Sequence, residues 1–200
     1  MSLFWESTNQ TLYQHGLLNS DTIAIGVPLN LGATSFDITD FNFNRTAHKN
    51  SNEKALFCGT VCKQDTIQIF SGTSGFEFIS LNKLVIDLIV VSRSQLMPLL
   101  AAEDQFLLNL QCQEARIAQI PIKVYQHLVA FLNTSFELLK SQPQLMQHAD
   151  FRHNIASQAT GLVIESLLAK ALNAPTAAPH KSWQVFCNTR DMVNVLQDNQ

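Results

Sequence analysis

Six histidines, four cysteines and one aspartate set in an apolar run are the residues of this chain best suited to chemistry. A metal site on a small β-barrel asks for two His separated by one residue on a strand, followed by a carboxylate and a third His, so that imidazoles on one face converge on one ion. His15, His48, His127, His148, His153 and His180 form no His-x-His pair, and none falls in a segment with strand character. His148 and His153 are five apart across a helix start, which is poor ligand spacing. Cys58 and Cys62 form a C-x3-C pair, but zinc needs two further ligands, and only Cys112 and His48 offer themselves. The pair reads more simply as small residues packed beside a β-turn. Nucleophilic catalysis needs a positioned Ser or Cys with a base and an orienting acid. No G-x-S-x-G elbow is present, and Gly59, Gly72 and Gly75 lack the spacing of a phosphate loop. No cofactor is expected.

Asp87 interrupts Leu84–Val91 (LVIDLIVV). It reads either as a buried acid in a ligand pocket or as a carboxylate turned to a loop or backbone N–H. The second is the commoner fate of a buried polar group. Phe41, Phe43, Phe57, Phe70, Phe76 and Phe78 either fill a barrel or line a cavity within it. Together with Asp87 they are the pocket candidates.

The elements that must position these residues change character near residue 93. Before it, β-branched and aromatic runs alternate with turn residues. Strands are expected over Asp21–Asn30, Thr34–Asn44, Ala55–Val61, Thr66–Phe70, Phe76–Ser80 and Leu84–Val91. Ser71-Gly-Thr-Ser-Gly75 reads as the turn of a hairpin between two of them. Phe76 and Phe78 share one face and Glu77 takes the other. The run at 84–91 is apolar at nearly every position, as in a strand covered on both faces. Beyond residue 93 the spacing is helical. A short helix is expected over Ser94–Ala102, weakened by Pro98. Pro121 fits the first position of a helix reaching Lys140, with Val124, Leu128, Phe131, Leu132, Ser135 and Leu139 on one face. A second helix, Asp150–Leu172, carries Phe151, Ile155, Ala159, Leu162, Val163, Leu167 and Ala171. Joined by a short connection, the two form a helical hairpin. Its apolar stripe must meet either its own barrel or a second copy of the chain. For the second case Leu128, Leu132, Leu139, Ile155, Leu162 and Leu167 are the interface candidates. Asn173–His180 reads as a linker, and a final helix is expected from about Thr189.

The fold class is therefore α+β: a β-barrel or sandwich followed by a helical hairpin. Formal charge is −3, with the 13 Lys and Arg scattered. A chain so charged should bind nucleic acid poorly. Residues 1–10 lack the charged and apolar regions of a signal peptide, and the longest apolar run is too short to span a bilayer. A soluble, cytoplasmic protein with reduced thiols is expected.

The order of these pieces resembles the N-terminal region of AraC-type transcription regulators, in particular the branch of the ethanolamine-operon regulator. His15-Gly-Leu-Leu-Asn-Ser-Asp-Thr-Ile-Ala-Ile-Gly-Val-Pro-Leu29 is similar to the family's turn and strand ending in Pro-Leu. Asp65–Phe70, Gly75–Ser80 and Leu84–Val91 are similar to its strand, glycine turn and final core strand. The hairpin over 121–172 is similar to its dimerisation region. Lys181–Gln200, with Arg190, resembles the linker and first helix of its helix-turn-helix domain. The resemblance implies three parts: residues 1–93 as a metal-free, cupin-like sensor domain, 94–172 as a helical dimerisation region, and 173–200 as the linker and opening helix of a DNA-binding domain whose remainder would lie beyond residue 200. It implies a homodimer, a small-molecule effector, DNA contact only through that further domain, and no enzymatic activity. A cupin-type binding protein or enzyme, with or without metal, is the competing reading and predicts His or carboxylates converging in the barrel. A pure interaction scaffold predicts a filled one.

Overall fold

The computed structural model describes residues 1–28, 55–63, 65–70, 75–80 and 84–169. In chain order these give β1 (Ser2–Thr8), β2 (Leu12–Gly16), β3 (Thr22–Pro28), β4 (Ala55–Phe57), β5 (Thr60–Val61), β6 (Thr66–Phe70), β7 (Phe76–Ser80) and β8 (Leu84–Ser92). Helices α1 (Arg93–Leu96) and α2 (Ala102–Gln111) follow, then β9 (Arg116–Gln119), α3 (Ile122–Ser141) and α4 (Ala149–Leu168). Among the described residues the strands make two antiparallel sheets, one in the order β1-β8-β3-β6-β9 and one in the order β2-β7-β4-β5. The class is α+β, as expected. The described strands form two sheets and not a closed barrel.

The five-stranded sheet is a middle layer, and its side-chain parity shows why. Ile25 pairs with Ile69 on one side and Ile89 on the other, so the three share a face. With Ile23, Val27, Ile67, Val91 and Ala118 they pack against Leu108, Leu128, Leu132, Val163 and Leu167 of the helices. The alternate residues, Ala24, Phe70, Leu84, Ile86 and Ile117, meet Ala55, Phe57 and Phe78 of the four-stranded sheet. A strand with period-two side chains and two buried faces has to be apolar throughout. β8 is such a strand, and the run read from the sequence is its signature.

The corner from sheet to helix is held by Asp21, just before β3. Its carboxylate accepts from the Ser94 backbone N–H at 2.8 Å and from the Ser92 and Ser94 hydroxyls at 2.7 and 3.0 Å. These bonds hold its pKa below the usual carboxylate value. The Ser92 hydroxyl also caps the first turn of α1 through the Gln95 N–H. Pro98 falls in a 3-10 turn over Met97–Leu99, which stops the short helix where the ring would clash with a preceding carbonyl.

Several expectations are corrected. The stretch Ala55–Val61 is a tight hairpin, not one strand: Phe57 pairs with Thr60 across Cys58 and Gly59, both with positive φ (46° and 73°). Such two-residue turns demand left-handed backbone, which Gly59 takes without cost and Cys58 does not. β6 and β7 are not hairpin partners. They lie in different sheets, and residues 71–74 of the expected turn fall outside the described residues. Strands β1, β2 and β9 and helix α2 went unread. β9 returns the chain to the sheet beside β6 from within the stretch whose spacing is otherwise helical. The expectations over Thr34–Asn44, with Phe41 and Phe43, and over 173–200 fall outside the described residues.

The hairpin α3–α4 is present, with Pro121 one residue before the first helical position. Arg152 donates to the carbonyls of Met146 and Gln147 at 2.7 and 3.0 Å and pins the connection. Its stripe is spent on the chain's own sheet. Leu128, Leu132 and Leu167 are completely buried within the chain, so no second copy can reach them. Leu139, Ile155 and Leu162 are half-buried. Truncating Leu128 to Ala should therefore destabilise the chain by about 2–5 kcal/mol through lost burial and a residual cavity. Urea denaturation of the wild type and the variant checks this.

Candidate functional site

Between the two sheets lies a cavity of about 310 Å³. Its walls follow from strand parity. β8 contributes Leu84, Ile86, Leu88 and Val90, β3 contributes Ala24, and β6 contributes Gln68 and Phe70. From the facing sheet come Leu12 and Gln14 of β2 and Phe76 and Phe78 of β7. Glu6, Ser7 and His15 are exposed and stand at the rim.

Three of the expected phenylalanines line this space. Phe70 and Phe76 meet edge to face, with centroids 4.8 Å apart at 78°, and Phe57 meets Phe70 at 4.8 Å and 65°. Phe57 is fully buried behind them and is not part of the lining. Ring edges against ring faces are the favoured arrangement of aromatic quadrupoles. The aromatic cluster thus fills one end of the sandwich and leaves the rest open.

The residue that gives the cavity its polarity is Gln68, which sequence reasoning passed over. Its side chain is 0% exposed. The amide Nε2 donates to Cys62 Sγ at 3.2 Å, while Oε1 has no hydrogen-bond partner among the described residues. Burial pushes the Cys62 thiol up to about 11, so it stays protonated. Opposite Gln68 in the register is Gly26. A Cβ there would stand 3.0 Å from Gln68 Oε1, 3.0 Å from the Phe70 ring and 2.9 Å from Ile86 Cδ1. The missing side chain gives the amide and the ring their room. In the sequence Gln68 shares a strand face with Thr66 and Phe70 and alternates with Ile67 and Ile69, a pattern that fits an exposed face as well as a buried one.

At the rim, Gln14 Nε2 donates to Glu6 Oε1 at 2.6 Å and ties β2 to β1 across the mouth. His15 lies on a strand after all, with its ring 5.8 Å from that of Tyr13. The alternation Leu12, Gln14, Gly16 was the sign of β2, obscured by its polar content. Cys58 sits in the β4–β5 turn and Cys62 follows β5, and no group of three or more His, Cys, Asp or Glu converges among the described residues. Cys112 is buried on the helical side, where desolvation pushes its thiol up to about 11.

No family model, curated protein or solved structure matches the chain. No helix among the described residues is long and apolar enough to cross a membrane.

Asp87 is not in the cavity. Its register partners are Trp5 and Val27, which places it on the helix-facing side of β8. It is 1% exposed, and neither carboxylate oxygen has a hydrogen-bond partner among the described residues. Burial raises its pKa to about 7. The folded chain therefore holds this proton more tightly than the unfolded chain does. Its contribution to stability is full below about pH 4 and is lost as pH rises through about 7. Asp87→Asn, which keeps the shape and removes the ionisation, should raise the melting temperature at pH 8 by at least about 2 °C and should leave it nearly unchanged at pH 4. Melting curves of both proteins across that range measure the difference.

Proposed function

We propose that the chain is the effector-sensing and self-association region of an AraC-type transcription regulator, with a cupin-like sandwich as sensor and no catalytic role of its own. The observation that carries this reading is the largely apolar cavity with one buried amide, open on one side between antiparallel sheets and followed in the chain by a helical hairpin. That is the order of parts the resemblance implies. DNA contact would belong to a domain beyond these residues.

β8 is the means of coupling. Leu84, Ile86, Leu88 and Val90 face the cavity, whereas Ile89 and Val91 on the same strand support the helices. β8 then runs directly into α1. A ligand that bears on the first set of side chains displaces the second, because a close-packed layer transmits strain. Occupancy of the cavity would thus favour one placement of the helices over another.

Self-association needs an apolar surface that the chain has not already used. The hairpin's central leucines are consumed internally, but α2 exposes Phe106, Leu107 and Leu110. Phe106 and Leu110 are one turn apart on the same face, exposed at 68% and 50%. The dimer is proposed to form there and over the half-buried leucines of the hairpin. Sedimentation velocity at tens of micromolar should show a dimer for the wild type and a monomer for the double variant Phe106→Asp, Leu110→Asp. A wild type that stays monomeric at that concentration would sink the self-association reading.

A further inference from the structure

The chemistry of the cavity restricts what it can hold. Its floor is made by Phe70, Phe78, Leu84 and Ile86, and none of the buried lining residues is charged. A ligand carrying a full charge at that depth would lose its hydration without gaining a counter-ion. A volume of about 310 Å³ lies at the lower end of the range for small-molecule pockets. It admits one ring system, not a chain of sugars or a nucleotide.

One feature of the floor is directional. The Gln68 amide cannot turn freely, because its Nε2 is engaged with Cys62 Sγ. Its Oε1 packs beside Gly26, where a Cβ would come within 3.0 Å of it, and the residue lines the cavity. A fully buried carbonyl oxygen without a partner accepts a hydrogen bond from whatever enters. The neighbouring Phe70 and Phe76 rings, set edge to face, offer an aromatic wall for a flat guest.

We propose that the cavity binds a compact, uncharged aromatic molecule bearing one N–H or O–H donor, and that Gln68 Oε1 receives that donor while Phe70 and Phe76 flank the ring. The proposal rests on the sensor reading in taking this cavity as the effector site. Gln68 acts as the specificity-determining residue: it separates ring systems that can donate from those of the same size that cannot. A buried acceptor left empty penalises the wrong guest far more than a change of shape does. The absent side chain at Gly26 leaves the amide its room beside the cavity.

Indole and indene are suitable probes, since they share a bicyclic outline and only indole has an N–H. Isothermal titration calorimetry on the full chain should give indole at least tenfold tighter binding than indene. In Gln68→Leu, which retains bulk and removes the acceptor, the two affinities should converge through the loss of indole binding. In Gly26→Ala both should weaken together, because the added methyl occupies the floor. Equal affinities in the wild type overturn the donor assignment, as does a preference for indole that survives Gln68→Leu. Because the wild-type comparison requires no substitution, it decides the matter even if a variant fails to fold. Failure of both probes to bind overturns this proposal and the effector cavity with it. Equal binding of both overturns the donor assignment alone and leaves the sensor reading standing.

Discussion

The structure depends on one constraint: the five-stranded sheet is covered on both faces. One face carries the helices and the other closes against the four-stranded sheet. Covering both sides removes the usual freedom of an antiparallel sheet to turn polar residues to water. Every residue of β6 is buried, and β8 alternates between two apolar environments. Gln68 and Asp87, the polar side chains of these central strands with buried atoms left without a hydrogen bond among the described residues, are for that reason the most consequential in the fold. They sit on opposite faces, and each is in a place where a polar group costs stability.

The contrast between them separates a site from a structural liability. Gln68 lines a space large enough for a guest, has one end of its amide anchored, and leaves the other without a partner among the described residues. Asp87 faces the helical side, away from that space, and meets its burial with a pKa raised to about 7. The same strand alternation that sends Leu84 and Ile86 to the cavity sends Asp87 away from it. A carboxylate in an apolar strand is an attractive candidate for chemistry when only its neighbours in sequence are known. Its parity relative to the cavity decides otherwise.

The thiols follow the same logic. Cys62 and Cys112 are both buried and both held protonated by desolvation. Arg93 and Arg116 lie near Cys112 but do not offset its burial, so neither thiol has the accessible surroundings of a reactive cysteine. Cys62 instead serves as a weak acceptor that orients Gln68. The C-x3-C spacing reflects the tight turn between β4 and β5, where Gly59 makes the reversal and the two cysteines fall on either side of it.

The α+β class, the doubly covered strand over 84–91 and the helical hairpin were legible in the sequence, because hydrophobic period is local and survives without knowledge of partners. So was the shared face of Phe76 and Phe78. Strands β1, β2 and β9 were not legible. They lie at the edges of their sheets, where half of each strand faces solvent and the apolar alternation is diluted by residues such as Gln14, His15 and Arg116. Whether β6 and β7 pair with each other or cross between layers is a question of long-range pairing, which turn residues alone do not answer. Whether the hairpin's leucines meet a sheet or a second copy is likewise settled by what lies opposite them in space. The role of Gln68 required all of this at once: the parity of β6, the glycine across from it, the thiol behind it and the gap between the sheets. Each of those lies on a different segment of the chain, and only folding brings them together.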